Sequence, residues 1–192
     1  MKIHAMRHGE TASNLEQRLQ GVLDVDLNEE GKRQAREALD SLPPGITMII
    51  SSPLKRAKQT AEIVAKHLGL PIIFRDELKE KNYGSLAGKT FDEVSDLHGI
   101  DARARNKTNT YDYREFGGES AKDINDKIIK LLRELNELHP QQEIILITHA
   151  GIIRAMHHLF SENKEVKIGN ATIHEFNIES EKIVLMNPDS QS

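Results

Sequence analysis

The chain contains no cysteine. That absence excludes disulfides, thiolate metal sites and a cysteine nucleophile. Nor is there a hydrophobic run near the ~18–20 residues of a membrane span. The opening "MKIHAMRHGE" lacks the apolar core of a secretion signal. There is no strong excess of charge either: 26 basic and 30 acidic residues leave a net −4. The overall balance therefore gives no hint of nucleic acid or an anionic membrane as partner. Internal repeats and low-complexity tracts are also lacking. What remains is the expectation of a soluble, cytoplasmic globular protein. Its 192 residues suit one domain, residues 1–192, with a substantial core.

Strand and helix patterns alternate along the chain. "KIHAM", "ITMIIS", "LPIIF" and "EIILITH" read as short apolar strands, and "ATIHEFNI" and "KIVLM" as a final pair. Between them "NEEGKRQAREALDSL" places Ala35, Ala38, Leu39 and Leu42 on one helical face, with Asn28 as its cap. "SPLKRAKQTAEIVAKHLG" predicts a helix capped by Ser52, with Pro53 in its first turn and Gly69 at its end. "TFDEVSDLHG" opens with a capping-box pattern. "ESAKDINDKIIKLLRELNELHP" is a long amphipathic helix stopping near Pro140, and "GIIRAMHHLF" a further helix. Alternation of this kind predicts an α/β fold with a mostly parallel sheet covered on both faces. One irregular stretch, about 100–118, is expected to be a mobile or functional loop.

Ligands of open α/β sheets bind beyond the carboxyl ends of the strands. Arg7 and His8 follow the first strand. Ser51, Ser52 and Arg56 follow the second, Glu80 lies after the third, and Thr148 and His149 follow the fourth. Arg56 falls in the first turn of a helix, where a cation opposes the dipole. It is either solvated there or shares an anionic ligand with the helix N–H groups. A lone histidine after a buried strand is commonly a boundary residue. Two histidines at two strand ends, each near an arginine, form a nucleophile within a cationic cage suited to phosphoryl transfer.

"RHGETASN", "SSPLKRAKQTAE", "ELKEKNYGSLAGKT" and "THAGIIR", in that order, resemble the motifs of the histidine phosphatase superfamily, the phosphoglycerate-mutase-like group. The resemblance runs from residue 1 to about residue 160 and implies a three-layer α/β/α sandwich. It implies that His8 is the phosphorylated nucleophile and that Arg7, Arg56 and His149 form the phosphate pocket. It further implies that Asn14, Gly21 and Ala150 bind substrate, and that Glu80 is the acid and then the base. Glu77 is a rival for that last role, and Lys79 is a solvated charge. Gly9 permits close backbone approach, and Ala150 and Gly151 open a helix whose N–H groups can face a phosphate.

The remaining histidines show no ligand spacing. His157 and His158 are adjacent on a helix and diverge, and His4, His67, His98, His139 and His174 stand alone, so no metal and no cofactor are expected. Tyr111, Tyr113 and Phe116 beside Arg103, Arg105, Lys107 and Arg114 fit a substrate lid or solvated loop better than a single-stranded nucleic-acid site. The expectation is a metal-independent phosphomonoester hydrolase acting on a small phosphorylated metabolite. "FGGES" resembles the phosphatase branch. The alternatives are a cofactor-dependent phosphoglycerate mutase and a non-catalytic phospho-ligand binding protein. The short stretch "NPDSQS" after the last strand argues against a closing tail and so against the mutase. Oligomeric state is left open.

Overall fold

The computed structural model describes residues 1–161 and 166–178. In chain order its elements are β1 (Lys2–Arg7), α1 (Ala12–Leu15), α2 (Glu29–Glu37), β2 (Met48–Ser51), α3 (Lys55–Leu68), β3 (Ile72–Phe74), α4 (Phe91–His98), α5 (Ala102–Thr108), α6 (Ala121–Leu138), β4 (Glu143–Thr148), α7 (Ala150–Phe160) and β5 (Ile173–Asn177). The strands form one sheet in the order β3-β2-β4-β1-β5. All neighbours are parallel except β5, which runs antiparallel to β1. The second strand of the expected final pair, "KIVLM", lies outside the described residues.

Alternation along the buried strands divides the core into two layers. Ile3 and Ala5 of β1, with Ile144 and Leu146 of β4, pack under Val94, Ile124, Ile128, Ile152 and Met156 from α4, α6 and α7. Met6, Ile145 and Ile147 face the other way, onto Ala57, Ala61 and Val64 of α3, with Ala38 and Leu39 alongside. The sheet is thus covered on both faces.

Local signals explain most boundaries. Asn28 accepts from Gly31 N at 2.7 Å and starts α2. Thr90 and Glu93 form the capping box of α4, and Ser120 and Asp123 form that of α6. Gly69 ends α3 with φ +69°. The start of α3 differs from expectation. It begins at Lys55 rather than at Pro53, and Ser52 does not cap it. Asp24 reaches from another segment to accept from Lys55 N at 2.7 Å. Ser52 is committed instead to His149, 2.8 Å away.

The 100–118 stretch is a second correction, since it is not irregular. It contains α5, capped by Asp101, and a short 3₁₀ turn at Arg114–Phe116. Its Tyr111 and Tyr113 are buried, stacked with centroids 5.5 Å apart, and belong to the larger core layer.

Candidate active site

Register brings the strand ends together. Arg7 pairs with Thr148 across β1 and β4, and Ser51 with Ile147 across β2 and β4. The ladder continues one residue further: His8 N donates to Thr148 O at 3.0 Å, and Ser52 N to Ile147 O at 2.9 Å. The residues after three parallel strands are thereby fixed side by side by backbone bonds. Around them lies a cavity of about 320 Å³, walled by Arg7, His8, Asn14, Gly21, Arg56, Glu80 and Ala150 among others. Of the expected site residues the rival Glu77 stays off that wall, and so does His149. His149 is fully buried, its ring centroid 5.2 Å from that of His8.

Hydrogen bonds set the tautomer of each histidine. His8 Nδ1 lies 2.6 Å from Gly9 O. A carbonyl only accepts, so Nδ1 carries the proton and Nε2 keeps its lone pair. Burial, with the charges of Arg56 and Arg7, holds the His8 pKa well below the usual imidazole range. The ring is therefore neutral and nucleophilic at pH 7. His149 is held down in the same way, by burial first and then by Arg56, His8 and Arg7. Ser52 Oγ accepts from Leu54 N at 3.3 Å, and among the described residues its own proton has no acceptor other than His149 Nε2, 2.8 Å away. That leaves Nδ1 of His149 protonated, buried and without a partner.

The arginines are anchored at one end and open at the other. Arg7 Nη1 donates to Ile168 O at 2.8 Å. Arg56 Nη1 and Nη2 donate to Leu23 O and Gly21 O, both at 2.7 Å. The Nε atoms of both are buried and unpartnered. Burial lowers the Arg56 pKa to about 10, so it stays cationic at pH 7, and Glu80 and Asp24 support its charge. Gly21 stands at φ +52°, and its carbonyl is spent on Arg56.

Asn14 lies within α1 and forms a capping box with Thr11, the helix's N-cap. Its Oδ1 accepts from Thr11 N, Thr11 Oγ1 and Asn170 Nδ2, at 3.1, 3.1 and 3.2 Å. The amide is thus oriented, and its N–H₂ is the end without an acceptor. Gly9 does allow a close approach, but to protein: a Cβ there would lie 2.2 Å from Gly31 O at the start of α2.

Glu80 accepts two backbone bonds, from Lys81 N at 2.9 Å and Gly151 N at 3.0 Å. The Gly151 N–H therefore faces Glu80 rather than an open phosphate site. A Cβ on Gly151 would come within 2.1 Å of Glu80 Oε1, so the glycine is what lets the carboxylate lie against α7. Glu77 is not on the cavity wall. It pairs with Arg75 at 3.0 Å, and Arg75 also holds Glu134. Lys79 pairs with Asp76 on the surface.

Several residues of the site carried no sequence signal. Asn170 bonds His8 O and Asn14 Oδ1, both at 3.2 Å, from a turn before β5. Thr60 Oγ1 accepts from Gly9 N at 3.2 Å. Lys81 is buried with Nζ 4.3 Å from the Tyr111 ring centroid. Ser13, Gln17, Arg18, Leu19, Gln20, Tyr83 and Phe91 complete the wall. Their types are ordinary, and only the fold places them. Among the described residues no three histidine, aspartate or glutamate side chains are grouped to hold a metal ion. No described helix is long and apolar enough to cross a membrane.

Comparison with known proteins agrees with the fold. Residues 3–189 match the histidine phosphatase superfamily, branch 1. The chain is 32% identical over 182 residues to phosphoglycerate mutase-like protein 4 of Arabidopsis thaliana, covering 92% of this chain and 79% of that one. It is 35% identical over 152 residues to the Bacillus subtilis (strain 168) protein named uncharacterized phosphatase PhoE, covering 79% and 72%. A mycobacterial glucosyl-3-phosphoglycerate phosphatase, solved with VO3, superposes with a TM-score of 0.79 at 29% identity, over 91% of both chains.

Proposed function

The chain belongs to the histidine phosphatase superfamily, and we propose that it is a metal-independent phosphomonoester hydrolase working through phospho-His8. The observation that carries this reading is a set of three buried donors without partners, Arg7 Nε, Arg56 Nε and His149 Nδ1, around one neutral imidazole. Buried polar groups are nearly always satisfied. An anion with several acceptor oxygens satisfies all three at once, and a phosphoryl group beside His8 Nε2 is such an anion.

In the first step the His8 Nε2 lone pair attacks phosphorus as the ester P–O bond breaks. Glu80, protonated, gives its proton to the departing oxygen and the alcohol leaves. The equatorial oxygens are met by Arg7, Arg56, the His149 N–H and the Asn14 amide. In the second step Glu80, now a carboxylate, takes a proton from water. The water oxygen bonds to phosphorus, the P–N bond breaks, and inorganic phosphate leaves with neutral His8 restored. A mutase reading, favoured by relatives named probable phosphoglycerate mutase, shares the first step and differs only in the acceptor of the second. The test is trapping of label from a ³²P-phosphomonoester by a quench in alkaline detergent, in which the P–N bond of a phosphohistidine survives. Label on His8, lost in His8→Ala, together with phosphate release undiminished by excess chelator, is the expected result. Loss on chelation with recovery by one divalent ion would overturn the all-protein cage.

A further inference from the structure

Outside the phosphate cage the cavity wall includes Ser13, Gln17, Arg18, Gln20 and Phe91. None of the basic residues of the 100–118 segment lines this wall. Arg103 instead covers the Phe91 ring at 5.0 Å, donates to Gln17 Oε1 at 2.6 Å and faces Asp92 at 3.5 Å. Arg114 is held by Asp112. Arg18, the one further cation among the described lining residues, is taken up by Glu16 at 2.6 Å, Gly88 O at 3.0 Å and Glu93 at 3.6 Å.

The uncommitted groups are neutral. Gln20 is 8% exposed, its amide makes no hydrogen bond within the protein, and its Oε1 is buried without a partner. The two ends of an amide exchange by a half-turn, so this group offers a donor or an acceptor to whatever fills the cavity. Gln17 holds a left-handed backbone, φ 54°, unusual for a residue with a side chain. Strain of this kind persists at ligand sites. With its Oε1 taken by Arg103, its N–H₂ is left as a donor. Phe91 adds an aromatic wall.

Carboxamides that pair with hydroxyls, an aromatic face that packs against ring C–H groups, and, outside the phosphate cage, no uncommitted cation among the described residues of the wall describe a site for an uncharged polyol. We propose that the substrate is the phosphomonoester of a neutral, hydroxyl-rich ring, a sugar phosphate, and not one bearing a second phosphate or a carboxylate. The kinetic side of this proposal rests on the hydrolase reading above. The binding side does not.

The test uses the full chain and two readouts. Phosphate release is measured from glucose 6-phosphate, ribose 5-phosphate, 3-phosphoglycerate and 4-nitrophenyl phosphate. Calorimetry compares a non-hydrolysable glucose phosphonate with carboxyethyl phosphonate. The sugar esters are expected to exceed 3-phosphoglycerate in kcat/KM by about tenfold or more, the scale of one or two hydrogen bonds. Gln20→Leu is expected to lower the sugar-to-aryl ratio of kcat/KM by about 2- to 12-fold, the loss of one hydrogen bond. Phe91→Ala should lower the same ratio. Preference for 3-phosphoglycerate, or a ratio that Gln20→Leu leaves unmoved, overturns the proposal while the hydrolase reading stands. If no ester is cleaved, the hydrolase reading falls and calorimetry decides alone. Tighter sugar phosphonate binding upholds the neutral site, and equal or weaker binding overturns it.

Discussion

At the scale of single residues, Glu80 and the two buried histidines make the sharpest predictions. General acid help is worth about 10²–10⁴-fold and matters most for poor leaving groups. Glu80→Gln keeps a backbone-bonded side chain on the cavity wall but has no proton to give. It should slow hydrolysis of an alkyl phosphate by that factor and that of 4-nitrophenyl phosphate far less. Burst kinetics separates acid help from slowed dephosphorylation. Equal damage to formation of the phosphoenzyme from both substrates would remove the acid role. The histidines predict a pH dependence. Their folded pKa values lie below the ordinary 6.5, and that of His157 falls to about 4. The unfolded chain therefore binds protons first as pH falls. Stability is full above the unfolded value and declines below it. The thermal midpoint should drop from pH 7 to about pH 5, while the NMR signals of His8 and His149 stay at their neutral positions. Much of this site was legible because strand ends carry function and because motifs are contiguous. Arg7, His8, Arg56 and Glu80 each lie within a recognisable string. Asn170, Gln20 and Phe91 were not legible, since amides and lone aromatics become a wall only when distant turns meet.

Elements were legible where their signals are local. Asn28, Gly69, the Thr90–Glu93 pair and the Ser120–Asp123 pair mark helix ends through bonds within a few residues. The start of α3 was misjudged because its cap, Asp24, is 31 positions away. The 100–118 segment misled for a related reason. Its polar, arginine-rich surface hides a buried tyrosine pair, and a seven-residue helix shows little periodicity. Burial of Tyr113 has a measurable consequence. The side chain is 0% exposed, and its hydroxyl donates to Asn106 Oδ1 at 3.0 Å, tying α5 to the turn that follows it. Tyr113→Ala should destabilise the protein by about 3–5 kcal/mol, the range for deleting a buried ring. Urea unfolding would measure it. A loss below about 1 kcal/mol, typical of surface changes, would mean that this segment does not depend on its tyrosines.

For the whole molecule, the open question is where the phosphoryl group goes. A mutase must shield its phosphoenzyme from water while the intermediate turns. Here the outer wall includes Gln17, an exposed residue, so water has a path to His8. Incubated with 3-phosphoglycerate and catalytic 2,3-bisphosphoglycerate, the protein should isomerise little, and release phosphate more slowly than it does from a sugar ester. Rapid isomerisation with little release would make it a mutase and leave His8 as nucleophile. The strand order β3-β2-β4-β1-β5 bears on how such an enzyme comes into being. β4 lies between β1 and β2, which do not touch, yet it is made about a hundred residues after β2. On the ribosome, the first two motifs emerge with no sheet to hold them beside each other. The cage cannot be complete until Glu143–Thr148 pairs with both β1 and β2 and brings His149 with it. Closing loops of that length is slow. In refolding, the ability to bind an anion such as vanadate should therefore return with the slowest phase and never ahead of it.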